Sequence, residues 1–312
     1  MRNQGKTIGI IAAASSAILL GLTPIFGKIA LQLGFSPLFI VSFRSILATL
    51  LVFLFLVIFN RSFLRIYSLG LLGCAIAGAV NGLGSIFFYT ALSFLDASIG
   101  QLLYSFYPLM VVFWLLLDRQ TITRLTIIRL AITIIGAVLL IGASAEKVSI
   151  QGAAMMLGAA ALYALHLIIN QKVLYEAPTP TVTFYTLLSM AITVSVVFLI
   201  FDRQLPPPEP TLQPVILLGA VTAISRVLLF LGVKKIGGME TALLGMGELL
   251  VTVVTAQIFL KESLTTIQWV GAVLLLFSLI LVGFDRLPPQ KRGLGGMLSW
   301  LTPTEVKPTD LQ

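Results

Sequence analysis

Of the ionisable side chains within long apolar runs of the sequence, Arg44, Arg226 and Glu248 are the candidates for chemistry, and Arg129, close to the cytoplasmic edge of its run, is given no role. A charge inside a membrane span costs about 2.5–3.5 kcal/mol on insertion scales, so it is kept beside water, a partner or a ligand. Around Glu248, Thr241, Gly245, Thr252 and Thr255 recur at helical spacing and give that segment one small, polar face. The carboxylate there reads in two ways. It is a contact for a solute amine and a proton-coupling group, since burial disfavours its charged form, or it is one half of a structural ion pair with Arg226 or Arg44. Arg44 is expected in a structural or gating role, because it lies a third of the way into its run and can snorkel towards the interface.

Three further polar faces follow from the 3.6-residue period. Tyr163, His166 and Asn170 share one, where the lone histidine is either hydrogen-bonded to a neighbouring helix or a proton shuttle. Gln101, Tyr104 and Pro108 share another, with Ser105 beside it, and suit either an amphipathic organic molecule or helix–helix hydrogen bonds. Asn81, Ser85 and Tyr89 mark the third, and Gly78-x-x-x-Gly82 nearby lets a neighbouring backbone approach closely. Pro24 and Pro108 each remove an amide donor inside a run, which bends the helix and can serve as a gating hinge. The expected solute contacts are therefore Asn81, Gln101, Tyr104, Tyr163, His166, Arg226 and Glu248, with Pro24, Arg44 and Pro108 structural or gating.

The elements that carry these residues are set by composition. Of 312 residues, 58% are hydrophobic and 10% charged, against roughly 25% charged for soluble domains. Too few ionisable groups exist to cover a water-facing surface, so the chain is an integral membrane protein. One cysteine, Cys74, excludes an intramolecular disulfide and a cysteine metal cluster, and one histidine excludes a two-histidine zinc motif. Gly5-Lys6-Thr7 lacks the upstream glycine of a phosphate loop. No cofactor or metal is expected. The net charge of +8 is dispersed between apolar runs rather than gathered on a stripe, which argues against a nucleic-acid partner.

Segmenting where charge, proline or glycine clusters interrupt apolar stretches of roughly 20 residues predicts ten spans. They cover Ile8–Leu31, Pro37–Phe59, Leu69–Leu92, Ala97–Leu117 and Leu125–Ala143, then Ile150–Gln171, Thr181–Phe201, Pro214–Val233, Gly238–Leu260 and Thr266–Phe284. Continuous Leu, Ile, Ala, Val and Phe exclude the alternating pattern of a transmembrane barrel. The first span follows Arg2 and Lys6 like a signal peptide, but its apolar run is too long for one and is expected to stay as a helix. With a cytoplasmic amino terminus, thirteen cations fall inside and four outside, so both termini are placed in the cytoplasm. Pro206-Pro207-Pro208-Glu209-Pro210 should form a stiff outer connection, and residues 286–312 a flexible cytoplasmic tail that can rest on anionic lipid.

An offset of 141 lays Gly78–Gly142 on Gly219–Gly283, with Tyr89-x-Ala91-Leu92-x-x-Leu95 falling on Phe230-x-Gly232-Val233-x-x-Ile236. An offset of 143 or 144 pairs Gly9 with Gly152 and Lys28 with Lys172. The chain is thus five helices twice, over 7–143 and 150–285. Five is odd, so the copies are inverted relative to one another, the geometry that alternating access needs.

Over nearly all of residues 7–285 the chain resembles the EamA-type, ten-helix members of the drug/metabolite transporter superfamily. The likeness rests on Gly21-x-x-Pro24-x-x-Gly27-Lys28, Phe43-Arg44, Phe88-Tyr89-x-Ala91-Leu92 and Tyr107-Pro108, and on Gly247-Glu248-Leu249 followed by Leu260-Lys261-Glu262-Ser263-Leu264-Thr265. Leu249 stands where the family carries proline, Lys261 where it carries glycine, and Thr121 where the first half's terminal glutamate is expected. The resemblance implies a secondary transporter, an exporter of a small metabolite or amino-acid-like solute, in a bacterial inner membrane. Its expected cavity is lined by the first, third, fourth, sixth, eighth and ninth helices, and a homodimer is left open. An intramembrane enzyme acting on a lipid-linked substrate is the alternative, but it needs a nucleophile beside a base, or a metal cluster. A sensor is a third class, disfavoured by the lack of a soluble signalling domain.

Overall fold

The computed structural model describes residues 2–117, 149–174, 177–202, 211–237, 247–262 and 264–281, with isolated positions between 124 and 139 and at 241, 244 and 245. Every regular element among them is helical. The first half holds α1 (Arg2–Gly21), α2 (Thr23–Gln32), α3 (Pro37–Phe59), α4 (Ser68–Phe94), α5 (Ala97–Tyr104) and α6 (Tyr107–Leu117). The second holds α7 (Ile150–Leu174), α8 (Thr179–Phe201), α9 (Gln213–Ile236), α10 (Gly247–Phe259) and α11 (Thr266–Ile280). Seven runs are long and apolar enough to cross a membrane, and Gly247–Phe259 and Trp269–Ser278 are shorter apolar helices. They fall on the expected spans, with α1 and α2 making the first and α5 and α6 the fourth. The fifth expected span, apart from isolated positions, lies outside the described residues, as do Arg129, Pro206 to Pro210 and the tail from 286.

These helices are apolar on the outside. On α3, Ile46, Leu50 and Leu54 are about half exposed, while Ser42, Arg44, Ser45 and Thr49 are buried. A soluble helix would show the reverse, so the outer stripe is the one that lipid must cover. Polar groups are gathered inward, where each needs a partner. The entry to α3 is fixed locally: Ser36 Oγ accepts from Phe39 N at 3.1 Å, and Pro37 takes the first helical position.

The packing follows the duplication. If helices one to five correspond to six to ten, the third on the sixth must be matched by the eighth on the first. The two most extensive contacts are of α4 along α7 and of α1 along α9. Likewise α4 on α8 is matched by α9 on α3. Gly78 and Gly82, the close-approach pair, lie against the α8 backbone at Thr186 O and Met190 O. Their use is therefore packing within the chain, where a side chain at Gly78 would collide with the α8 backbone.

Equivalent helices of the two halves run in opposite directions. The residue three beyond α10, Glu262, sits at the start of α5, its carboxylate accepting from Ala97 N at 2.8 Å, Ser98 N at 2.9 Å and Ser98 Oγ at 2.7 Å. An anion there satisfies amides that the helix leaves unpaired. Beside it, Lys28 Nζ donates to Leu92 O at 2.8 Å and Leu95 O at 2.6 Å, closing the carboxyl end of α4. At the opposite end of the bundle, Lys234 Nζ donates to Ala177 O at 2.9 Å and Tyr185 OH to Leu64 O at 2.7 Å.

Lys261 aims Glu262 at its target. Its φ of 55° is left-handed, and Glu262 N reaches back to Ala256 O at 3.4 Å, the turn with which helices often close. Glycine adopts that conformation without the steric cost a lysine meets. Glu262→Ala should lower stability by about 1–2 kcal/mol, whereas Lys261→Gly should raise it by about 0.5–1 kcal/mol. Thermal unfolding of both variants in detergent checks this, and equal shifts of the same sign would contradict it.

Candidate functional site

A small cavity of about 40 Å³ lies at the centre of the bundle. Its wall is built where the helices are broken or polar. The break between α1 and α2 supplies Leu20 and Thr23, α3 supplies Arg44, and α4 supplies Asn81, Ser85, Phe88 and Tyr89. Gln101 and Tyr104 come from the end of α5, Tyr163 from α7, Arg226 from α9 and Glu248 from the first turn of α10.

Both interruptions fall at the prolines the sequence singles out. Pro24 follows the turn at Leu22, and the carbonyls freed there are taken up by Thr23 Oγ1, 2.7 Å from Leu20 O, and by Thr252 Oγ1 of the other half, 2.7 Å from Gly21 O. Pro108 follows the turn at Ser105 and Phe106, where Ser105 Oγ donates to Leu102 O at 2.6 Å. Each break is thus stabilised by hydroxyls and opens the wall at cavity depth.

The two arginines approach the cavity on aromatic supports. Arg44 is 5% exposed, and it does not snorkel as the sequence suggested. Its Nη1 donates to Thr222 Oγ1 at 3.2 Å and its Nη2 to Ser85 Oγ at 2.9 Å, with the guanidinium 4.9 Å from the Tyr89 ring centroid. The inward turn follows from position: with polar acceptors on α4 and α9 within reach, the head gains hydrogen bonds that the apolar outer face cannot give. Arg226 Nη2 makes one long contact, 3.4 Å to Asn81 Oδ1, and its guanidinium lies 5.3 Å from the Tyr163 ring.

Glu248 takes a hydrogen bond from Gln101 and is close enough to Arg226 to feel its charge. The structural ion pair considered from the sequence does not form: Glu248 Oε1, Arg44 Nε, Arg226 Nε and Arg226 Nη1 are buried with no hydrogen-bond partner among the described residues. Buried polar groups are otherwise almost always satisfied, so four orphans on residues that line one cavity make it the candidate site.

Of the seven expected contacts, Asn81, Gln101, Tyr104, Tyr163, Arg226 and Glu248 meet at this cavity, and His166 does not. His166 stands one layer behind, its ring 5.8 Å from that of Tyr163. Its Nδ1 lies 3.0 Å from both Ala77 O and Asn170 Nδ2. Asn170 Nδ2 donates to His166 O at 3.1 Å and Thr186 Oγ1 donates to Asn170 Oδ1 at 3.0 Å, so the whole face ties α7 to α4 and α8. Helical periodicity placed Tyr163, His166 and Asn170 together, but it cannot tell which end of such a face meets a void.

Sequence reasoning left out Thr23, Phe88 and Tyr89 as lining residues, Arg44 and the second helix as part of the wall, and Thr222 as an arginine partner. The repeat carries a signal for Thr222. At the offset of 141, Asn81 corresponds to Thr222 and Ser85 to Arg226. Polar positions that recur at equivalent depth on the two pseudo-symmetric helices, α4 and α9, face the shared axis.

Because its bonds are internal, His166→Asn should lower thermal stability by about 1–3 kcal/mol and leave the half-saturation concentration for solute unchanged. Measuring both on one preparation checks this, and a several-fold change in half-saturation at wild-type stability would make His166 a solute contact.

The family model described as the EamA-like transporter family matches the chain twice, over residues 7–142 and 150–284. A protein described as an uncharacterized transporter from Synechocystis sp. is 26% identical over 227 residues, 70% of this chain and 67% of its own. A solved crystal structure of a protein 17% identical in sequence superposes with a TM-score of 0.67, covering 91% of this chain and 98% of its own, which shows a shared fold. Duplicated in sequence, inverted in packing and enclosing a polar cavity among apolar helices, the chain belongs to the EamA-like transporter family: it is an all-α, multi-pass membrane transporter whose ten transmembrane helices form two inverted five-helix repeats.

Proposed function

We propose that the chain is a secondary transporter that exports a small metabolite or amino-acid-like solute by alternating access, with the central cavity as its solute site. The observation that carries this reading is the set of unpartnered polar atoms on Arg44, Arg226 and Glu248 around one cavity. Asn81, Gln101, Tyr104 and Tyr163 complete the site. Aromatic rings offer apolar contact and the amides offer orientation, the mixture typical of small-molecule pockets.

Packed apolar clusters lie towards the two ends of the bundle. Towards the end that holds Glu262 and Lys28, Ile25, Ala97 and Ala256 pack with Ile29 and Leu260. Towards the other end, Tyr107, Leu167, Phe230 and Val233 belong to one buried cluster. In the proposed cycle the halves rock along the matched seams of α4 on α7 and α1 on α9, and one cluster separates while the other stays packed. Pro24 and Pro108, at the breaks, are where the helices would bend. The excess of cations on one set of loops supports an orientation with both termini in the cytoplasm of a cell membrane, in which the Glu262 end faces outward.

Glu248 is the proposed coupling group, since a lone carboxylate inside the bundle can carry a proton across with or against the solute. Purified protein in vesicles loaded with a cell metabolite extract should release particular solutes in a saturable manner, faster with an acid exterior. Glu248→Gln should abolish that pH response. Release no different from protein-free vesicles removes the carrier reading, and an unchanged pH response in the variant removes the coupling role.

A further inference from the structure

The wall of the cavity is unbalanced in charge and in hydrogen bonding. With Glu248 ionised, Arg44 and Arg226 leave the lining at a net charge of +1. The two guanidiniums are near enough to repel one another, and neither is ion-paired among the described residues. Three of their nitrogens bear protons with nowhere to go, and one carboxylate oxygen lacks a donor. A buried charge left unsatisfied is costly, so a solute that supplies what the wall lacks is favoured.

We infer that the solute is a small hydroxycarboxylate of net charge −1, its carboxylate held by Arg44 and Arg226 and its hydroxyl donating to Glu248. This rests on the carrier reading above and narrows it. The open donors, Arg44 Nε and Arg226 Nε and Nη1, suit the oxygens of a carboxylate and would make charge-assisted bonds to it. An ammonium could also donate to Glu248 Oε1, but a zwitterion brings no net charge and leaves the +1 standing. A hydroxyl fills the same acceptor and lets the site close neutral. Phe88, Tyr104 and Tyr163 then give the carbon body of the solute its apolar contact, with ring centroids 4.9 Å and 5.5 Å apart along that wall.

The test uses four compounds with one aromatic body: 3-phenyllactate, its amide, phenylalanine and phenethylamine. Calorimetric titration of purified wild-type protein at neutral pH should find 3-phenyllactate bound at least tenfold more tightly than each of the others. Arg226→Gln should cost that ligand at least tenfold, and Arg226→Lys less, because the charge returns without the fork. Should either variant fail to fold, the wild-type ranking decides alone. Phenylalanine or phenethylamine binding as tightly as 3-phenyllactate overturns the inference, as does no binding of any of the four at millimolar concentration. Release from extract-loaded vesicles separates this from the broader reading. Saturable release of neutral or cationic solutes alone sinks the anion site and keeps the carrier, whereas 3-phenyllactate binding without any release keeps the site and sinks the carrier.

Discussion

A guanidinium in the middle of a membrane-spanning bundle has to be supplied with acceptors, and how Arg44 and Arg226 are supplied organises the rest of this molecule. Neither gets a carboxylate among the described residues. Arg44 reaches across to hydroxyls on both α4 and α9, one from each half, and lies on Tyr89. Arg226 makes a long bond to Asn81 and lies against Tyr163, which also hydrogen-bonds it. Partial satisfaction of this kind stabilises the charge enough to keep it buried and leaves donors in reserve, which a site needs if it is to gain from binding.

The scaffold that holds these groups is close to symmetric, while the chemistry is not. At the offset of 141, Ser85 corresponds to Arg226 and Tyr107-Pro108 to Glu248-Leu249. One half thus offers a hydroxyl and a phenol where the other offers a cation and an anion. Inverted packing demands that matched seams be similar, and α4 on α7 mirrors α1 on α9. It places no such demand on the residues facing the axis, which are free to differ and so to bind a solute that has no symmetry of its own. The external tie between the halves is local and polar: Glu262 of the second half caps α5 of the first, above a small apolar layer. Such a tie is cheap to break compared with a packed seam, as the proposed opening of that end requires.

Much of the fold is legible in the sequence because membranes simplify the problem. Span length and cation placement fix the crossings, and a repeat of odd helix number fixes the inversion. Pro24 and Pro108 likewise announce breaks, since a missing amide donor has few accommodations. The site is only partly legible. Six of the expected contacts meet at the cavity, because polar residues on helices so apolar have few places to go. His166 misleads for the same reason: a buried histidine bonded to Ala77 looks, in sequence, like one facing a solute. Arg44 misleads in the other direction, since its depth in α3 suggests snorkelling and its acceptors, Ser85 and Thr222, lie 41 and 178 residues away. No local pattern reports such distant partners.

Everything above requires that the two halves cross the bilayer in opposite senses. Arg61, just beyond the second span, and Asp202, just beyond the seventh, occupy equivalent connections of the two halves. With the single buried Cys74 replaced by alanine, a cysteine at either position can be labelled by a membrane-impermeant thiol reagent in intact cells and in inverted vesicles. The account predicts that Arg61→Cys reacts only from the cytoplasmic side and Asp202→Cys only from outside. Reaction of both from the same side would contradict it.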